Sequence, residues 1–465
     1  MLVSLDNYVT IENPSESVME YCERNLTLDN PDYINALKRN SYAARSIAKK
    51  LFLYKIQDNK YILPFGTFKD IVSLGIPHTQ YTNAIRAFTP QKIESSIILY
   101  DYQQKALDRM KTARNGILVA NCGSGKTQIG LQLIAELGGK ALWITHTGDL
   151  LAQSYNRAKQ TLKCSLGKIT EGKVDIQDIT FATVQTLVKI DLEEYKRTFD
   201  VIVVDECHHA VGSPTKMKMF YKIVSSLSAR YKYGLTATPT RADGLTKAMY
   251  ALLGNKEFEI TRESVGEKIV DATYEPIMWE ETPPKVYRGR DIITNEPIYQ
   301  YDFIDTDGTY MFSKLISTLS EWKERNEFIV KLVKEHPGRH ILVLCNLVSH
   351  AKALAHDLGA ELLVGSKSKG DRKEAIESLK SGKSKIAVAT VSLVKEGLDI
   401  PILDTLIFAT PQKNPAIVVQ SIGRIERSFP GKLEPIVYDI VDTQIPYCMG
   451  SYSKRKGIMK RRNKK

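Results

Sequence analysis

At 465 residues the chain is too long for one ordinary core, so two or three domains are expected. A hydrophobic fraction of 43% with a charged fraction of 25% excludes a disordered chain, and no apolar run reaches the roughly 20 residues of a membrane-spanning helix. The six scattered cysteines, with no CxxC pair, exclude a disulfide scaffold or zinc-finger site, and the net charge of +12 points to an acidic partner.

The amino terminus, MLVSLDNYVT, has no basic stretch leading into an apolar block, so a soluble, cytoplasmic protein is expected. Residues 1–95 lack the regular pattern that follows them. A basic amphipathic helix is predicted over 31–50, then a hairpin turning at Asp58 and Asn59. Lys38, Arg39, Arg45, Lys49 and Lys50, with Tyr42 and Tyr54, form either an ordinary exposed helix face or a duplex-facing surface.

Over residues 96–262 apolar runs rich in β-branched residues (ILVA, ALWIT, ITFAT, VIVVD, YGLTAT) alternate with helix-period segments. Strands apolar on both faces and separated by helices imply a parallel sheet covered on each side. The run ILVANCGSGKT, 117–127, takes a buried strand through a glycine turn into a helix, so that backbone N–H groups converge where a phosphate belongs. Cys122, Gly123, Ser124 and Gly125 cradle it, Lys126 reaches the β and γ phosphates, and the Thr127 hydroxyl can hold Mg²⁺. Ala120 stands where the usual GxxxxGK[ST] pattern opens with glycine. The strand VIVV, 201–204, then delivers Asp205 and Glu206 to its carboxyl end, Asp205 to hold Mg²⁺ and Glu206 to polarise an attacking water as general base. His208 and His209 are adjacent on a strand end, where side chains diverge, and are not read as metal ligands.

Residues 263–322 hold extended aromatic segments broken by Pro283, Pro284 and Pro297, read as a linker. A second α/β block occupies 323–450. The last fifteen residues, 451–465, carry eight Lys or Arg and no acid, and read as either a flexible arm for phosphate backbones or a solvated tail.

The two motifs GSGKT and DECH, in this order, resemble the superfamily 2 helicases of the DExH type, and the resemblance runs from about residue 97 to 450. It implies an α/β fold of two RecA-like parallel-sheet motor domains in tandem, with a small α+β amino-terminal domain added. It implies that Gln103, in LYDYQQ, reads the adenine edge of ATP. LWITHTGDLLAQ, with Thr147 and with His146 in place of the usual proline, looks like the first nucleic-acid segment, and FATVQTL places Thr183 on a phosphate. LTATPTR resembles the coupling motif, with Thr236 and Thr238 as its hydroxyls. In the second block ATVSLVKEGLDIP puts Thr390 on the nucleic-acid backbone and Gly397 and Asp399 at the nucleotide. QSIGRIERS matches QxxGRxxR through Gln420, Gly423, Arg424 and Arg427; the two arginines, which could simply make surface ion pairs, become arginine fingers acting on ATP bound to the other domain.

A narrower resemblance, carried by compact length and the DYQ context, is to the phage branch-migration helicases of the UvsW type, with XPB-like and RecG-like relatives. It implies a monomer acting on forked, branched or duplex DNA, tracking 3′ to 5′, in the host cytoplasm if phage-encoded. A DExH RNA helicase, the motor of a restriction or repair assembly and an ATP-gated clamp are the alternatives. No PD-(D/E)xK nuclease pattern accompanies the motor motifs.

Overall fold

The structure, a computed structural model, describes residues 1–38, 41–75, 81–121, 123–208, 214–237, 245–266, 269–305, 308–395, 398 and 400–462. The chain divides into two compact units, Met1–Val265 and Gly266–Lys465.

The first unit is built on an eight-stranded sheet in the order 173–174, 166–170, 179–183, 141–145, 201–204, 231–236, 115–120, 256–260. All pairs are parallel except the terminal one, 166–170 with 173–174. The central strands Asn115–Ala120, Ala141–Thr145 and Val201–Val204 are buried at every position, as strands covered on both faces must be. The crossover helix Lys126–Leu137 stops at Gly138, whose φ of 65° is the left-handed cap that glycine adopts without strain.

Residues 1–95 add a five-stranded sheet in the order 55–57, 60–64, 8–12, 2–5, 81–83. The hairpin turns through Asp58 and Asn59, with φ of 49° and 58°, the pair of positive angles of a tight two-residue turn. The helix predicted over 31–50 is shorter. It spans Pro31–Lys38 and is followed by a 3-10 turn, Tyr42–Arg45. The reason is non-local: Lys50–Phe52 pairs antiparallel with Thr27–Asp29, and Asn30 Nδ2 donates to the Ala48 carbonyl at 2.8 Å, so the chain must double back before residue 48. Strand pairing overrides local helix periodicity here.

This amino-terminal region shares one hydrophobic core with the large sheet: Val9, Ile11, Leu63 and Ile71 join Ile202, Val204, Val224 and Leu252 in a single buried cluster. Polar bonds cross the seam as well. Asn7 Nδ2 donates to the Ser225 carbonyl at 2.5 Å, the Tyr221 hydroxyl donates to the Leu53 carbonyl at 2.8 Å, and Lys69 pairs with Glu257.

The second unit holds a six-stranded, all-parallel sheet in the order 273–279, 436–442, 405–408, 341–345, 386–390, 361–363. Its edge strand Thr273–Trp279 lies in the stretch read as a linker, and pairs along its whole length with Ile436–Asp442. A buried ion pair locks this strand's neighbour. Arg325 donates to both carboxylate oxygens of Asp442, at 2.6 and 3.0 Å, and to the Ala409 carbonyl at 2.7 Å.

The basic tail is not a flexible arm through residue 462. It belongs to a helix, Pro446–Arg462, that packs on the sheet through Tyr452, Ile458 and Met459. Arg455 is 1% exposed and donates to Asp439 Oδ2 at 2.6 Å, the Gln412 carbonyl at 2.9 Å and Ser451 Oγ at 2.8 Å. A buried carboxylate thus fixes one of the eight basic residues inside the fold; Lys454, Lys456 and Lys460 face solvent. No helix among the described residues is long and apolar enough to cross a membrane.

Candidate nucleotide and nucleic-acid sites

The phosphate loop follows Asn115–Ala120, and the turn that leads into the helix requires two glycines. Gly123 and Gly125 have φ of 86° and 83°, and Gly125 is the residue before the helix Lys126–Leu137. The loop's interior is held by Ser124, fully buried, whose hydroxyl donates to the Asn121 carbonyl at 2.7 Å. Gln103, also buried, ties the loop to its own helix: Nε2 donates to the Ser124 carbonyl at 2.8 Å, and Oε1 accepts from the Tyr100 N–H at 3.0 Å. Ala120, standing where the pattern has glycine, is buried, and its carbonyl accepts from Lys126 Nζ at 3.2 Å. Cys122 lies outside the described residues.

Two strands away, Val201–Val204 ends at the acid pair. Asp205 is 5% exposed and accepts at Oδ1 from the Glu206 N–H at 3.0 Å. Glu206 adopts a φ of 48°, uncommon for a residue with a side chain. Its Oε1 lies 3.2 Å from Lys126 Nζ, which brings the acid pair and the phosphate-loop lysine into one site. Burial pushes the Asp205 carboxyl well up, the Glu206 charge adds to that, and Lys126 opposes it. Two adjacent carboxyl groups, one of them 3.2 Å from the Lys126 ammonium, are a donor set that could hold a divalent cation, and Thr127 at the start of the neighbouring helix carries a further oxygen. The N–H groups of a helix start, with a lysine beside them, fit a nucleotide triphosphate.

The strand Tyr231–Thr236 runs between these two strands. Thr236, fully buried at its carboxyl end, has its hydroxyl 2.9 Å from His208 Nδ1, and that same nitrogen is 3.3 Å from Glu206 Oε2. Sequence reading considered His208 only as a metal ligand and passed over this link; the DExH spelling itself, a histidine two residues after the acid pair, is the signal. His209 and Thr238 lie outside the described residues.

Thr147 follows, and Thr183 ends, one of two adjacent parallel strands, paired in register at Thr145 and Thr183. Both cap short paths into helices: Thr147 Oγ1 accepts from Leu150 N and Thr183 Oγ1 from Thr186 N, each at 3.3 Å. Gln185 Nε2 joins the two turns by donating to the His146 carbonyl at 3.0 Å. In the amino-terminal region Lys38 and Arg45 are exposed, and the Arg45 guanidinium lies 5.3 Å from the ring centre of Tyr42, itself 83% exposed. Arg39 lies outside the described residues.

In the second unit Thr390 ends the strand Ile386–Thr390, buried, with its hydroxyl 3.1 Å from that of Ser392. Gln420 and Arg424 lie on the helix Pro415–Ile425, and Arg427 follows two residues beyond it, its backbone bridged to Ile269. Gln420 is buried; both arginines are half-buried. Gly397 and Asp399 lie outside the described residues.

Residues 96–241 match the family described as type III restriction enzyme, res subunit, and residues 324–428 match the helicase conserved C-terminal domain. L396 of Acanthamoeba polyphaga mimivirus, provisionally named an ATP-dependent RNA helicase, is 28% identical over 421 residues, which is 87% of this chain and 75% of that protein. The DNA 3′-5′ translocase XPB2 of Sulfurisphaera tokodaii is 24% identical over 379 residues, 74% of this chain and 82% of its own length. Among solved structures, S. cerevisiae Dbp5 bound to RNA and ADP BeF3 superposes with a TM-score of 0.56 at 16% identity, over 78% of this chain and 88% of that one, a likeness of fold.

Proposed function

From a chain that belongs to the superfamily 2 helicases, with both helicase domains in tandem, we propose an ATP-driven DNA motor that remodels branched DNA. The nucleotide is ATP with Mg²⁺, the triphosphate on Gly123–Thr127 and Lys126, the cation on Thr127 and Asp205. Glu206 draws the proton from the attacking water. Gln103 exchanges one of its present partners for the adenine edge. Gln420, Arg424 and Arg427 belong to the same machinery, the two arginines neutralising charge on the departing phosphate as finger arginines do. Thr147 and Thr183 in one unit and Thr390 in the other grip a strand alternately, and the alternation moves it.

The observation that supports a DNA substrate most is the continuous core joining residues 1–95 to the first helicase domain. An accessory region mounted rigidly on one half of a motor, with Tyr42 and Arg45 outward, holds duplex beside the strand being moved, as fork regression and Holliday-junction branch migration require. The XPB2 relative, a named DNA 3′-5′ translocase, supports the same polarity and substrate. The L396 relative favours a second reading, an RNA helicase. ATPase stimulation by single-stranded DNA, duplex, fork, four-way junction and RNA, measured side by side, separates them. Strongest stimulation by forks and junctions is expected; strongest stimulation by RNA would establish the second reading.

A further inference from the structure

Arg427 stands two residues beyond the end of the helix Pro415–Ile425, so no helical turn fixes its direction and its own backbone partners must. On one side the chain is clamped to residues 269–272. Arg427 bridges Ile269, the Val270 N–H donates to the Glu426 carbonyl at 2.9 Å, and Glu426, itself buried, accepts at Oε1 from the Ala272 N–H at 3.4 Å.

The other side is held by a side chain that the local sequence turns back. Phe429, Pro430, Gly431 and Lys432 have the order of a tight turn, proline presetting its second position and glycine supplying the positive φ of its third. The turn forms: Gly431 has a φ of 74°, and the Lys432 N–H donates to the Phe429 carbonyl at 3.2 Å. The reversal brings Lys432 back to Arg427. Its Nζ donates to the Arg427 carbonyl at 2.8 Å and to the Pro401 carbonyl at 3.2 Å. Pro401 lies on the connection between the strand that ends at Thr390 and the strand Thr405–Phe408, so one ammonium joins the backbone of Arg427 to that connection.

A tie between two carbonyls does not by itself ask for a cation beside another cation. Burial pushes the half-buried Lys432 ammonium down to about 8; Asp404 opposes that fall and the charge of Arg427 adds to it. Positive charge gathered in this way is unfavourable alone and becomes favourable when a phosphate anion arrives at Arg427. We propose that Lys432 is a positioning residue for ATP hydrolysis: by holding the Arg427 carbonyl it fixes where the Arg427 guanidinium meets the departing phosphate. The role rests on the reading of Arg427 as a finger given above.

The test uses the full chain in four variants. Lys432→Met keeps the apolar stem and removes both bonds, Lys432→Gln keeps a shorter donor, Arg427→Ala removes the finger, and the fourth combines Lys432→Met with Arg427→Ala. Steady-state ATP hydrolysis on forked DNA gives kcat and KM for each, and thermal melts give their stability. Lys432→Met is expected to lower kcat about ten- to hundredfold with KM for ATP within about twofold, as misplacement of a group that acts only in the transition state does. Lys432→Gln is expected to fall between it and the unchanged protein, and both to melt like the unchanged protein. Because Lys432 acts through Arg427, adding Lys432→Met to Arg427→Ala is expected to cost no further turnover. Losses that multiply in the combined variant, an unchanged kcat in Lys432→Met, or a KM that rises as kcat falls would overturn the positioning role while leaving the finger. Early melting of both Lys432 variants would overturn it too, by making the lysine a residue of the fold. Full turnover by Arg427→Ala would end the finger reading itself, and the role of Lys432 with it.

Discussion

The Thr236 hydroxyl lies 2.9 Å from Nδ1 of His208, so the strand between the phosphate loop and the acid pair is bonded directly to the histidine two residues beyond those acids. Its expected role is to pass a change at Glu206 into the first unit's sheet. Thr236→Val keeps the shape and removes the hydroxyl. ATP hydrolysis is expected to stay close to that of the unchanged protein while duplex unwinding falls roughly five- to tenfold, the equivalent of one ~1 kcal/mol hydrogen bond. Unwinding and ATPase measured on the same preparation decide it; losses of equal size would place Thr236 in the hydrolytic step.

Lys126→Ala and Arg427→Ala separate binding from hydrolysis. Removing the lysine takes the ammonium away from Glu206, and ATPase is expected to drop about a hundredfold or more, with nucleic-acid binding retained. Removing Arg427 is expected to leave nucleotide binding within reach of the unchanged protein and lower turnover roughly 10³-fold, as loss of a finger arginine does. Nucleotide-binding titration beside turnover distinguishes the two variants, and full turnover without Arg427 would end its role as a finger.

Lys232 gives a pH signature. It is fully buried in the strand Tyr231–Thr236, its Nζ donates to the Val224 carbonyl at 3.0 Å and lies 4.5 Å from the Phe65 ring centre, and burial pushes its ammonium down to about 7. Its unfolded-state value is about 10.4. Between those two values the unfolded chain binds more protons than the folded one, so this group makes stability rise with pH; below about 7 both states are protonated and its full destabilising effect is present. Lys232→Met is expected to raise unfolding stability by roughly 1 to 3 kcal/mol at pH 7, after about 1 kcal/mol for the lost bond, with the gain shrinking toward pH 10. Denaturant melts of both proteins across that range check it; a gain independent of pH would mean that Lys232 does not titrate in the fold.

Deleting residues 451–465 is expected to unfold the second unit in part, because it removes Arg455 from a buried Asp439, a change that typically costs about 3–5 kcal/mol. Changing Lys454, Lys456 and Lys460 to Gln leaves that pair intact. The triple variant is expected to melt like the unchanged protein and to lower the salt dependence of DNA binding by up to about two units of slope. An identical slope would remove the tail from the DNA contacts.

The phosphate loop was legible because everything it needs is contiguous: a buried strand, two glycines with positive φ, a lysine and a helix start within residues 115–137. The Asp58–Asn59 turn was legible for the same reason, since its conformation is set by two neighbouring residues. What the sequence concealed is non-local. Arg455 looks like one charge among eight, and only Asp439, sixteen residues earlier on a sheet strand, makes it a core residue. The predicted helix over 31–50 has the right periodicity but yields to a pairing between residues 27–29 and 50–52. The seam beneath the amino-terminal region joins Asn7 to Ser225 across 218 positions, and no local pattern announces it.

That seam governs how the protein can be dissected genetically. A truncation starting near residue 96 would strip the cover from Ile202, Val204 and Leu252, and the exposed sheet face would turn an intended functional deletion into a solubility defect. Allele series aimed at the outward side chains of Tyr42 and Arg45 avoid that confusion, since those positions can be varied while the hydrophobic joint beneath them stays closed.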